Sequence, residues 1–136
     1  MISRILFFLM ISFTVISVSS AAPVPEVKKE EVSEFVHIPP ISVAMYNKRK
    51  RPAGTMTVLM QLKIDDEDKR DMALKIMPRL RSAYMQETTK LALNFFDISR
   101  PFNANILGRS LQNVTNQVLR HGDARVLIGD IAIHKR

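Results

Sequence analysis

"GTMTVLMQLKID", Gly54 to Asp65, sets the fold. Met56, Val58, Met60, Leu62 and Ile64 fall on one side of an extended chain. Thr55, Thr57, Gln61 and Lys63 fall on the other, and Leu59 is the one apolar residue out of step. A period of two with a single apolar face predicts a β-strand covered on one side. Upstream, "FVHIPPISVAMYN" repeats the pattern: Ile41, Val43 and Met45 alternate with Ser42, Ala44 and Tyr46. Pro39 and Pro40 lack the N–H that a central ladder needs, which suits a strand start or a sheet edge. The intervening "NKRKRPAG" predicts a basic hairpin loop.

Downstream the period changes. "DDEDKRD" opens a helix, with Asp65 or Asp66 as N-cap and further acids where the helix dipole favours negative charge. Pro78 is expected to kink or restart this helix, because proline cannot accept a place in a helix interior without losing a hydrogen bond. Leu80, Tyr84, Thr88, Leu91 and Phe95 then follow three-and-four spacing. "DISRPFNAN" interrupts, and "ILGRSLQNVTNQVLRHG" gives a second helix. Its stripe is Leu107, Leu111, Val114 and Val118, and Gly122 is its expected C-cap. The final "ARVLIGDIAIHKR" is apolar on both faces, which predicts a central strand. The expected class is α+β: a small antiparallel or mixed sheet with a long kinked helix and a second helix packed on one face.

The chain has 136 residues and no cysteine, which excludes thiolate metal sites, cysteine nucleophiles and a disulfide-stapled fold. A net charge of +7 and a pI near 10.1 call for an anionic partner. Residues 1–21 read as a signal peptide or a short membrane anchor. Arg4 precedes the apolar run Ile5 to Val18, and Ser19-Ser20-Ala21 offers small residues for cleavage before Ala22, which favours the signal. Either way the rest of the chain is delivered outside, so lipid headgroups, acidic proteins and cell-wall polymers outrank nucleic acid as partners. Residues 22–34, with two prolines and mixed charge, read as a linker, and residues 35–136 as the domain.

Catalytic signals do not appear. His37, His121 and His134 are too far apart in sequence to make a local metal pair, and Asp65 to Asp68 lack the glycine and downstream glutamate of a calcium loop. No nucleophile elbow or phosphate-cradling loop is present. The densest feature is Lys48, Arg49, Lys50 and Arg51, which reads as a contact for anionic headgroups or an acidic partner, or as a solubilising hairpin tip. Arg79 and Arg81, flanking Leu80, form a second basic cluster. No aromatic residue interleaves with Lys48 to Arg51, so a base-stacking platform is not indicated.

The ordered series "IPPISV", "TVLMQLKID", "DDEDKRDMALKIMPRLR", "LQNVTNQVL" and "ARVLIGDIAIHK" resembles the flagellar basal-body-associated protein FliL family over roughly Phe35 to the C-terminus. "MPRLRSAYM" is its best single piece. The resemblance implies a stomatin-like α+β domain in the bacterial periplasm, at or attached to the outer face of the inner membrane. It also implies no catalysis and no cofactor, a ring of copies, and association with the stator proteins of the flagellar motor in support of motility. The linker residues Glu26, Val27, Lys28, Lys29, Glu30, Glu31 and Val32 would then contact the stator. Lys48 to Arg51, with Arg79 and Arg81, would supply charged contacts. The family usually has a full membrane-spanning helix, and "DISRPFNAN" stands where it more often has a glycine-containing start to the last helix. A different reading of the same charge is a soluble exported module that adheres to anionic lipid or wall polymer through Lys48 to Arg51.

Overall fold

The computed structural model describes residues 33–136. Three strands, β1 (Phe35–Tyr46), β2 (Pro52–Lys63) and β3 (Arg125–Lys135), form an antiparallel sheet in the order β1-β2-β3. Three helices, α1 (Glu67–Lys75), α2 (Met77–Asn94) and α3 (Ala104–Leu119), separate β2 from β3. Helix α2 lies over β1, α3 lies over β3, and the two helices pack on each other. The fold is a small α+β sandwich with helices on one face.

Alternation in β2 reports that face faithfully. Met56, Val58, Met60, Leu62 and Ile64 are all buried, in rows with Val43, Ile41, Ile38 and Val36 of β1. From above, Leu80, Tyr84 and Leu91 of α2 and Leu107 and Leu111 of α3 close the core. Among the described residues this is one continuous core, in a segment about the length at which a domain folds alone.

Several local expectations hold. Asp66 is the N-cap of α1, its side chain accepting from the Lys69 N–H at 3.0 Å. The chain does not merely kink at Pro78 but restarts: α1 ends at Lys75, and Pro78 sits in the first turn of α2, where its missing N–H costs nothing. Buried Arg70 holds the β2–α1 connection by donating from Nη1 to the carbonyls of Ile64 (2.7 Å) and Asp65 (2.8 Å).

Three details differ from the sequence expectation. β3 is an edge strand, not the central one; β2 is central. The apolar residues of β3 serve two surfaces: Val126, Ile128, Ile131 and Ile133 pack towards the helices, while Leu127 and Ala132 belong to the face that none of the described helices covers. Of the two places expected for Pro39 and Pro40 the sheet edge holds: they lie inside edge strand β1, at a register shift between Ile38 and Ile41. Phe95 leaves the buried stripe of α2 and is 66% exposed, with Phe96 buried in its place. Helix α3 ends with Arg120 in the left-handed conformation (φ 60°), two residues before Gly122. The following turn is closed by the His121 ring, whose Nδ1 accepts from the Asp123 N–H, so a glycine is not needed to reverse the chain.

Candidate functional site

The β1–β2 loop is built around Asn47. Its N–H donates to the Arg51 carbonyl (3.0 Å) and its carbonyl accepts from Lys50 N–H (2.9 Å). Its side-chain oxygen accepts from the N–H groups of Arg49 (2.9 Å) and Arg51 (3.1 Å). Turning this tightly places Lys50 at φ 58°, a conformation that costs a non-glycine residue about 1 kcal/mol. The Lys50 ammonium also donates to the Leu93 carbonyl in the last turn of α2, where a cation suits the negative end of the helix dipole. All four cations from Lys48 to Arg51 are exposed. Lys48, Arg49 and Arg51 make no side-chain hydrogen bond or salt bridge among the described residues.

Arg79 and Arg81 are not neighbours of this loop. They occupy the first turn of α2, whereas Lys50 meets its last turn, about 18 Å along the axis at 1.5 Å per residue. Being two residues apart, they diverge on either side of buried Leu80, and both are exposed. The linker residues Glu26 to Val32 lie outside the described residues.

The fold adds three cations to the hairpin tip instead. The Arg136 N–H donates to Ala53 carbonyl (2.9 Å) and Lys135 pairs with Gly54, so the end of β3 lies beside the start of β2. The turn after α2 joins through the Ile98 N–H, which donates to the Tyr46 carbonyl (3.1 Å), bringing Arg100. Among the described residues, this end of the sheet thus carries Lys48 to Arg51, Arg100, Lys135 and Arg136, all exposed, against one side-chain carboxylate, Asp97. Asp97 is itself occupied. Its carboxyl is held below the usual range chiefly by the Ser99 N–H, helped by Lys48 and Arg100.

At the opposite end of the sheet the charges balance. Glu34, Asp65 and Asp123 join the acids of α1 there, but salt bridges tie Lys63 to Glu34 and Asp65, and Lys69 to Asp123. Lys75, Arg79, Arg81 and Arg125 lie in the elements of the same end. The positive excess of the domain is therefore concentrated at the hairpin tip. The sequence held a signal for this: an antiparallel meander returns the end of β3 to the start of β2.

Apolar surface adjoins the tip. Phe95 is exposed at the C-cap of α2, next to Leu93, and borders a cavity of about 100 Å³ lined by Met45, Phe96, Phe102 and Ile133. Phe96 and Phe102 pack as a tilted pair, with centroids 4.5 Å apart.

The face of the sheet away from the helices is the second candidate surface. Ser42, Thr57 and Ala132 form one row across it and Ala44, Thr55 and His134 the next, with Ser42 Oγ and Thr57 Oγ1 2.9 Å apart. Leu59 (43% exposed) and Phe35 (38%) project from it. Small side chains make its middle flat, and the ionisable residues His37, Lys63, Arg125, Asp130 and His134 flank that middle.

Among the described residues, no group of three or more His, Asp or Glu could hold a metal, and no helix is long and apolar enough to cross a membrane. No family model matches the chain, and no curated protein is significantly similar to it.

Proposed function

We propose that the chain is a FliL-like structural protein of the bacterial flagellar basal body, a non-enzymatic scaffold that self-associates beside the motor stator and supports motility. The observation that carries the reading is the sheet face that none of the described helices covers. Its rows of Ser, Thr and Ala are flat and uncharged, and it is flanked by two edge strands, the features that let one copy seat another. The order of elements supports it too: a hairpin, a helix restarted at Met77-Pro78, a second helix and a last strand follow the series on which the family resemblance rests. In this reading the domain stands in the periplasm at the inner membrane, and residues 22–34 lead from the apolar stretch to Phe35.

Self-association is tested with Leu59→Arg, which puts a cation on the exposed centre of that face without touching the core. Sedimentation of the wild type is expected to show oligomers, and of Leu59→Arg the monomer with an unchanged melting temperature. A monomeric wild type at high protein concentration would remove the basis of the scaffold reading.

A further inference from the structure

We propose that the hairpin tip is a docking surface for an anionic lipid bilayer, with Lys48 to Arg51, Arg100, Lys135 and Arg136 meeting the headgroups and Phe95 entering the interface. This does not depend on the scaffold reading. Those seven cations come from three separate parts of the chain, and among the described residues Asp97 is the one side-chain carboxylate beside them. Among the same residues Lys50 alone of the seven has a side-chain partner, the Leu93 carbonyl.

Three observations select the partner. Among the described residues a second copy offers no surface of matching net charge, because the opposite end of the sheet holds about as many cations as carboxylates. A membrane surface supplies many anions over a broad area, and each cation brought to it changes partition about fivefold. The exposed apolar residues beside the cations, Phe95 and Leu93, gain from leaving water at the bilayer interface, where an aromatic ring is favoured.

The test is co-sedimentation of residues 33–136 with vesicles of phosphatidylcholine alone, or with about a third phosphatidylglycerol, at low and high salt. This segment lacks the apolar leader and encloses its own core. Binding is expected only to the anionic vesicles, weakening steeply with salt. The triple variant K48S/R49S/R51S, which spares the Lys50 contact, is expected to lose at least tenfold in partition. F95S is expected to lose severalfold while keeping the salt dependence. R79S/R81S, at the other end of α2, is expected to bind as the wild type does.

Equal binding to both vesicle types, no binding to either, or an equal loss in R79S/R81S would overturn the proposal. If a tip variant does not fold, the wild-type comparison between vesicle types and salt concentrations still decides. Adhesion to an acidic protein without any anionic-vesicle binding would count against a bilayer and for that other partner.

Discussion

The Tyr84 hydroxyl of α2 lies 2.7 Å from Thr115 Oγ1 of α3, and both residues are fully buried. Thr115 Oγ1 is also 2.7 Å from the Leu111 carbonyl, which can only accept, so the threonine donates there and accepts from the tyrosine. A short polar chain therefore locks the two helices in register above the sheet. Thr115→Val strands the tyrosine hydroxyl, with an expected loss of about 1–3 kcal/mol, and Tyr84→Phe about 1 kcal/mol. Urea denaturation of the single and double variants checks this; the double variant is expected to cost less than the sum.

The same tyrosine makes the domain base-sensitive. Burial pushes its pKa up to about 12 against an ordinary value of 10. In the unfolded chain it ionises first, so stability is full below about pH 10 and is lost as pH rises to about 12. The loss is of order 2–3 kcal/mol. Melting curves between pH 8 and pH 12 (about the range needed to bracket both values) are expected to show this fall, and Tyr84→Phe to flatten part of it.

Thr88 has the opposite problem. Its Oγ1 is buried in α2 without a hydrogen-bond partner among the described residues. Thr88→Val keeps the shape and removes the orphaned hydroxyl, so a gain of about 1 kcal/mol is expected in urea denaturation.

Gly54 is needed for close approach, since a Cβ there would run into the His134 carbonyl and Ile98 Cδ1. Gly54→Ala is expected to cost about 1–3 kcal/mol and to loosen the pairing that carries Lys135. Amide exchange is expected to speed up at the β2–β3 end near Gly54 and to stay unchanged at Lys63.

Faces were legible from the sequence, and edges were not. Alternation located the buried side of β2 residue by residue because it depends only on which surface leaves water. It misplaced β3 because a strand apolar on both sides can be covered twice, or can contribute to a covered face and an open one. Asp66 and Pro78 were readable because cap and first-turn chemistry is local. Arg120 was not, since the turn that follows it is closed by His121 rather than by a glycine. The candidate site was half legible: Lys48 to Arg51 stand together in sequence, but Arg100, Lys135 and Arg136 reach them only through tertiary pairing. Arg79 and Arg81, read as a second basic cluster, stand apart from the loop by most of the length of α2.

The most direct measurement for the scaffold reading is isolation of the cross-linked protein from the membranes of the cells that make it, followed by mass analysis of the complex. The expected result is several copies of this chain together with stator proteins of the flagellar motor. Recovery of single copies with no motor component would contradict the central claim.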